Sequence, residues 1–242
     1  MTKAETVGGP VRPDPVASVA YWDEYAPWYM LWLEHTDYHR GIKRVLEGLV
    51  RPGWRVLDIG GGSGVLAIPL MRSGCRVTVV EPSAVMRAYL RTEMARADVQ
   101  EDRIIESPWE EVPLADAAGF DLAVASNSLH LTRIGAARAL ERIVEARPAR
   151  IVVASERDIP LSPGGNGAGA YVAAGSGSYE AENSFRYHSV EQALRHLELK
   201  GRHGQAHPTR EEFMDSLAAE DGHWVHRRRT TVRWLRLDRD GA

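Results

Sequence analysis

The residues best suited to chemistry in this 242-residue chain are a run of glycines and an acid about twenty positions further on. Residues 56–64 read VLDIGGGSG, a short apolar strand that leads directly into a glycine-rich turn. Glycine tolerates positive φ and leaves no Cβ between the main chain and a ligand, and the start of the next helix presents free N–H groups. A second apolar run, VTVV at 77–80, ends in Glu81, where a carboxylate can accept two ribose hydroxyls. The two features predict a ligand that contains a nucleoside.

The spacing of the glycines bears on which nucleotide is bound. A dinucleotide-binding turn has the pattern G-x-G-x-x-G, whereas Gly60, Gly62 and Gly64 form G-x-G-x-G and Val65 takes the third dinucleotide position. The acid before the turn, Asp58, would repel a pyrophosphate but suits the ammonium group of a methionine moiety. The sequence therefore disfavours an NAD-dependent enzyme.

Four stretches of the chain resemble the class I S-adenosylmethionine-dependent methyltransferases. They read VLDIGGGSG, VVEPS, SPWEEVP and FDLAVASNSLH, and they occur in the family's order and at its spacings within residues 54–155. The resemblance implies that S-adenosylmethionine is the cofactor and S-adenosylhomocysteine the product. The methyl acceptor would be an oxygen, nitrogen, carbon or sulfur atom.

The resemblance also implies which residues hold each part of the cofactor. Asp58 and the glycines would place the methionine end, and Glu81 would bind the ribose. Trp109 would lie on the adenine ring, with Glu110 or its neighbour accepting from the exocyclic amine. Met86 would border the adenosine, although a core position is an equal alternative. The expected cofactor contacts are Tyr21, Tyr29, Asp58, Gly60, Gly61, Gly62, Gly64, Glu81, Pro82, Met86, Trp109, Glu110 and Asn127.

A polar segment at the end of the fourth predicted strand, residues 126–130, faces the position of methyl transfer. Its His130 is the candidate general base, because histidine can take a proton at neutral pH. A histidine that only shapes the pocket is the alternative, and some methyltransferases need no base because alignment supplies much of the rate. The segment lacks the Asp/Asn-Pro-Pro-aromatic motif of amino-group DNA methyltransferases, and Cys75 lies too far away to be a cytosine C5 nucleophile.

An aromatic stripe precedes the first strand, within two helices predicted over residues 17–50. It includes Tyr21, Tyr25 and Tyr29 at helical spacing. Tyrosine faces suit contact with a sulfonium through cation–π attraction, so the segment is predicted to form a lid over the cofactor. Ordinary core packing is the alternative.

Alternating apolar strands and helices predict an α/β fold in which a parallel sheet is covered on both faces. The strands are expected at 54–59, 76–80, 103–106, 120–125, 151–155, 199–206 and within 224–237. The helices are expected at 64–73, 83–97, 133–147, 189–198 and 209–219. With the family's topology, this is a Rossmann-like, doubly wound sheet of seven mostly parallel strands, with an antiparallel last strand and an N-terminal helical lid.

One methyltransferase domain accounts for the whole length. Its predicted parts are a flexible leader at 1–15, the helical cap, a cofactor-binding core at 54–155, a flexible substrate-side insertion at 156–190 and a C-terminal part of the sheet at 191–242. Within the insertion, the glycine-rich stretch 160–178 is expected to be mobile.

Composition narrows the choice of partners. A net charge of −3 argues against DNA and makes RNA an unlikely partner, so a small-molecule substrate is expected. A single cysteine and no apolar run of about 20 residues predict a cytoplasmic protein that does not span a membrane, either a monomer or a homodimer. The histidine pairs His35/His39 and His203/His207 lack a third ligand, so no metal is expected. An RNA or protein methyltransferase and a non-catalytic protein that binds the cofactor or a partner stay open as alternatives.

Overall fold

The computed structural model describes residues 18–158 and 170–241, so the predicted leader and residues 159–169 of the predicted insertion lie outside it. The described strands are β1 Arg55–Ile59, β2 Arg76–Val80, β3 Arg103–Ile105, β4 Leu122–Ser126, β5 Arg150–Ser155, β6 Tyr171–Glu182, β7 Phe185–Tyr187, β8 Leu217–Glu220, β9 His223–His226 and β10 Arg229–Arg239. The described helices are α1 Val19–Leu33, α2 Arg40–Glu47, α3 Ala67–Arg72, α4 Ala84–Ala97, α5 Gly135–Glu145, α6 Val190–Arg202 and α7 Arg210–Asp215.

A seven-stranded sheet in the order β3-β2-β1-β4-β5-β10-β6 forms the centre of the fold. Strands β1 to β5 are parallel, and β10 is antiparallel to both β5 and β6. The predicted topology with one antiparallel last strand is therefore confirmed. The strand order reverses between β1 and β4, and open α/β sheets bind ligands at such a switch point, outside the carboxyl ends of the strands.

The two faces of the sheet are buried in different apolar clusters. In β1, Val56 contributes to one cluster and Leu57 to the other, since successive side chains of a strand point to opposite faces. The first cluster also contains residues of α1, α2, α3 and α4, and the second contains the buried face of α5. Burial on both faces explains why β1, β2 and β4 are almost continuously apolar.

The N-terminal helices are held over the carboxyl edge of the sheet by polar contacts that span the chain. The Ser83 hydroxyl, which caps α4, donates to the Asp23 carboxylate of α1 at 2.6 Å. The Trp32 indole donates to the side chain of Asn183 at 2.9 Å. The Tyr179 hydroxyl of β6 donates to the carbonyl of Tyr38, just before α2, at 2.8 Å. These bonds place the aromatic stripe beside the predicted cofactor loop.

The prediction of a mobile glycine-rich stretch is wrong for residues 171–178. These residues begin β6, which pairs with β10 along its length. Glycine is a poor strand former, but here it leaves room for the Trp234 indole of β10. A Cβ placed on Gly177 would lie 2.9 Å from the indole nitrogen, so the ring occupies the space that a side chain would take.

Two C-terminal predictions were also wrong in detail. The strand expected at 199–206 does not form, because α6 continues to Arg202 with Leu197 and Leu199 buried along it. The helix expected at 209–219 ends at Asp215, although the predicted capping box between Thr209 and Glu212 is present. Strands β7, β9 and β8 form a small antiparallel sheet that the sequence pattern did not reveal.

The packing of Trp234 against β6 gives a test of this edge of the sheet. We expect Gly177→Ala to lower the free energy of unfolding by roughly 1 kcal/mol, because the new methyl group overlaps a rigid ring. Gly175→Ala is the matched control, since its Cβ would lie at an ordinary 3.4 Å from the same ring. Urea unfolding of the two variants measures the difference, and equal midpoints would contradict the packing.

Candidate functional site

A cavity of about 570 Å³ lies at the carboxyl ends of β1, β2 and β4, under α1. Its volume is within the range of small-molecule and cofactor sites. The predicted contacts that line it are Tyr29, Gly60, Gly62, Glu81, Pro82, Met86, Trp109, Glu110 and Asn127. The predicted residues that do not line it are Tyr21, Asp58, Gly61, Gly64 and His130.

The glycines of the loop after β1 serve two different purposes. Gly60 has a φ of 71°, and a Cβ there would be 2.5 Å from the Ser128 side chain. Ser128 in turn donates to the Ile59 carbonyl at 2.6 Å, which ties the end of β4 to the loop. Gly62 also has a positive φ, 56°, but a Cβ there would meet only Tyr29, at 3.9 Å. Gly60 therefore lets two chain segments pack, whereas Gly62 leaves space open to the cavity.

Each carboxylate oxygen of Glu81 accepts one main-chain hydrogen bond. One carboxylate oxygen accepts from the Gly62 N–H at 2.9 Å and the other from the Ser83 N–H at 2.8 Å. The side chain is 6% exposed, and burial raises its pKa although these N–H groups oppose the shift. Because an ionised carboxylate has about four acceptor positions, each oxygen keeps room for a further donor from the cavity.

Asp58 is a buried acid beneath the same loop. It is 2% exposed, and one carboxylate oxygen has no hydrogen-bond partner among the described residues. Burial, reinforced by the charge of Glu81, raises the pKa of Asp58 to about 7, and a bond from the Ala67 N–H opposes the rise. A buried polar atom without a partner is uncommon and requires an explanation. A cation bound above the loop would stabilise this carboxylate by charge, without direct contact.

Comparisons with known proteins also support a methyltransferase. The methyltransferase domain family matches residues 56–147. The ubiquinone/menaquinone biosynthesis C-methyltransferase UbiE of Rubrivivax gelatinosus is 34% identical over 110 residues, which are 44% of this chain and 42% of the relative. The matched part therefore spans less than half of that relative's length.

Similar solved structures cover nearly the whole chain. The magnesium protoporphyrin IX methyltransferase of Synechocystis PCC 6803, solved with S-adenosylmethionine bound, has a TM-score of 0.51 and 12% identity over 96% of this chain and all of that one. The family match and the shared fold together support a class I S-adenosylmethionine-dependent methyltransferase. The [4+2]-cyclase SpnF is also similar, with a TM-score of 0.59 and 16% identity over 96% of this chain and 98% of the other. At such identities the two structures show the fold alone.

The end of the cavity that was predicted to hold adenine differs in detail from the expectation. Trp109 is 3% exposed, and its indole N–H donates to the Ala139 carbonyl at 2.9 Å, so the ring is anchored in the wall. One Glu110 oxygen accepts from the main-chain N–H and the guanidinium of Arg133, at 3.0 and 3.1 Å. An adenine amine would have to share this carboxylate with Arg133. The roles of Trp109 and Glu110 stay predictions.

The candidate base, His130, is not part of the cavity lining, although Leu131 and Thr132 on the same segment are. Its catalytic role stays a prediction that the cavity does not favour. Another histidine, His39, does line the cavity and is 8% exposed. Burial and the charge of Lys43 lower the pKa of His39 to about 3, so its ring is neutral at physiological pH. The sequence analysis considered His39 only as one of a histidine pair. It did not predict that His39 lines the cavity, because this residue is distant from the glycine loop along the chain.

The aromatic stripe divides into two groups. Tyr29 lines the cavity beside Gly62, as do two tryptophans of the same helix, Trp22 and Trp32. Tyr21 is 3% exposed and stacks on Tyr25, with ring centroids 5.1 Å apart, away from the cavity. The lid and the core interpretations of the stripe thus each describe some of its residues.

Two further properties concern only the described parts of the chain. None of the helices there has the length and apolar character needed to cross a membrane. Across residues 18–158 and 170–241, no cluster of three or more histidine, cysteine or acidic side chains is arranged to hold a metal ion.

Glu81 provides a test of the ribose site. We expect Glu81→Gln to weaken S-adenosylmethionine binding by roughly 10- to 100-fold, because the amide removes the charge from hydrogen bonds that would hold the two hydroxyls. Calorimetric titration measures the dissociation constant. Glu93→Gln, on an outer face of α4 where Glu93 pairs with Arg96, is the control and should bind as the unmodified protein does. An unchanged affinity of Glu81→Gln would remove Glu81 from the site.

Proposed function

We propose that this protein transfers the methyl group of S-adenosylmethionine to a small, aromatic acceptor molecule. The observation that carries the proposal is a single cavity that combines the glycine loop and Glu81 with aromatic walls. The loop residues Gly60 and Gly62 line one end of this cavity, and Trp32 and Tyr38 line it as well. The cofactor and a flat acceptor can therefore bind beside each other without a change of fold.

The residues present fit the cofactor. Asp58 supplies negative charge beneath the loop, Gly62 keeps the space above it open, and Glu81 has free acceptor positions for hydroxyls. When bound, S-adenosylmethionine supplies a methyl group on a positively charged sulfur, which is a strong electrophile. The protein's own contribution is then to bind, align and desolvate the two reactants.

The aromatic residues of α1 are suited to alignment and exclusion of water. The Tyr29 ring lies next to Gly62, where its face or hydroxyl can attract a sulfonium. Trp22 and Trp32 cover the same cavity and shield it from solvent. Holding two reactants in line inside a dry site can supply several kcal/mol of the reduction in barrier. Neutral His39 can accept a hydrogen bond from the acceptor, but its low pKa makes it a weak base.

The walls of the cavity favour a small molecule over RNA or protein. Four aromatic side chains of the N-terminal segment line it, and they are Trp22, Tyr29, Trp32 and Tyr38. Aromatic surfaces of this kind contact flat apolar molecules well. The relative UbiE is named a C-methyltransferase of ubiquinone and menaquinone biosynthesis, which supports methyl transfer to a small molecule by the present chain.

Two measurements test the proposal. Calorimetry with S-adenosylmethionine should show binding, while NADH should show none, and the reverse result would end the cofactor assignment. Transfer of a radiolabelled methyl group should then be measured separately into small-molecule, RNA and protein fractions of a cell lysate. Label in the small-molecule fraction is the expected result, and label in RNA or protein alone would identify the alternative substrate class. Binding without label in any fraction would favour a non-catalytic role.

A further inference from the structure

A second cavity, of about 460 Å³, adjoins the first. It lies along α2, from the end of α1 to Val65, the residue that follows the glycine loop. His39 is the residue that lines both cavities, so the two cavities approach each other at this point. The second cavity is termed the α2 groove below.

The charges of the α2 groove are incompletely balanced. Arg40 pairs with Asp37 at 3.1 Å. Lys43 and Arg44, which also line the groove, form no salt bridge with any residue that the structure describes. Glu47 also lines the groove, one turn beyond Lys43, so three cationic side chains face two carboxylates there. The charge of Glu47 raises the pKa of Lys43, but burial has the larger effect and lowers it. The groove thus has a net positive charge and a half-buried ammonium group without an ionic partner.

A partly buried charge without a salt-bridge partner has lost part of its hydration, and a bound anion can compensate for that loss. An anion in the groove would do so, and the groove meets the acceptor cavity at His39. Neutral His39 adds no second cation there and can donate a hydrogen bond to a ligand that extends past it. An elongated acceptor could therefore have its ring in one cavity and its anionic group in the other.

We propose that the acceptor is an aromatic molecule that carries a carboxylate, with its ring beside Trp32 and Tyr38 and its carboxylate against Lys43 in the α2 groove. This inference rests on the proposed function, since it identifies the substrate class of the same site. His39 would lie between the ring and the carboxylate of the bound acceptor. Its position therefore determines the distance that must separate these two groups.

The small number of lysines makes the proposal directly testable. Lys3, Lys43 and Lys200 are the lysines of the chain. The protein, saturated with S-adenosylhomocysteine, is treated with an amine-reactive reagent, and the labelling rate of each lysine is followed by peptide mass spectrometry. We expect 4-hydroxycinnamate to slow the labelling of Lys43 and to leave Lys200 unchanged. The methyl ester of the same compound, which lacks the negative charge, should protect Lys43 much less. Equal protection by the two compounds, or none by the carboxylate, would overturn the proposal.

A variant provides the second readout. Lys43→Met should weaken 4-hydroxycinnamate binding about tenfold, because it removes one charge-assisted contact, and should leave binding of the methyl ester unchanged. Arg72→Met, an exposed residue of α3 outside the groove, is the matched control. Calorimetry of the unmodified protein with S-adenosylmethionine separates the proposed function from this inference. Absence of cofactor binding would refute the proposed function. Normal cofactor binding, with no preference for the carboxylate over its methyl ester, would refute only this inference.

Discussion

Gly62→Ala is expected to lose most of the affinity for S-adenosylmethionine while the protein remains folded. The new methyl group would find space within the protein, since only Tyr29 lies near it, at 3.9 Å. The methyl group would therefore project into the cavity next to the loop, where the methionine end of the cofactor is expected. An overlap of this size costs about 1–3 kcal/mol, which is roughly 10- to 100-fold in the dissociation constant.

The backbone of Gly62 requires a control for strain. Its φ of 56° is left-handed, and a residue with a Cβ pays about 1–2 kcal/mol in that region. Gly53 has a φ of 85° with nothing within 4 Å of its Cβ position, and it does not line the cavity. Gly53→Ala should therefore show a similar loss of stability and normal cofactor binding. If both variants bound the cofactor equally well, the loop would not contact the methionine end.

The affinity for S-adenosylmethionine is expected to rise with pH up to neutrality and then level off. The pKa of Asp58 is about 7 in the cofactor-free protein, so about half of the molecules have a protonated Asp58 near that pH. A cationic ligand favours the ionised form and therefore displaces the proton on binding. Below pH 7 the affinity should fall by up to about tenfold per pH unit, since the proton then competes with the ligand. Calorimetry in buffers of different ionisation enthalpy should detect the released proton.

Asp58→Asn supplies both the control and a second measurement. The variant should bind the cofactor weakly and without the pH dependence below 7.

The stability of the cofactor-free protein should change with pH in the opposite direction to the affinity, because the pKa of Asp58 is higher in the folded protein than its ordinary value of 3.8. The folded state then holds the proton more tightly, so the free energy of unfolding falls as pH rises from about 4 to 7, by roughly 4 kcal/mol at most. Asp58→Asn should remove this fall, and an unchanged pH profile of stability would contradict the assigned pKa.

The similarity to SpnF shows that the reaction of this protein has to be inferred from particular residues of its site. A structure called a [4+2]-cyclase matches this chain over nearly its whole length, so the fold alone does not determine the reaction. The unpartnered oxygen of Asp58, the open position at Gly62 and the two N–H bonds to Glu81 are properties of this chain's own site. They are the observations that support the proposed cofactor.

Local patterns in the sequence were sufficient for the part of the molecule around the glycine loop. Strands β1, β2 and β4 are apolar on both faces, and the turn after β1 requires glycines because its backbone has positive φ at several positions. The caps at Ser83 and Thr209 act within three residues of themselves. Each of these signals is contained in a short segment, so it can be read without knowledge of the rest of the chain.

The rest of the molecule was decided by contacts between distant segments. Gly177 is part of a strand because Trp234, 57 positions later, packs over it (234 − 177). His39 lines the cavity because Tyr179 of β6 anchors the start of α2, and Trp109 is buried because it bonds to a carbonyl of α5. The sequence by itself therefore determined the parallel strands β1 to β5, the glycine loop and the position of Glu81 after β2, whereas the tertiary structure alone decided which side chains surround the cavity. The physical reason is that turns and strand patterns depend on neighbours in the chain, while the walls of a cavity depend on which remote surfaces pack together.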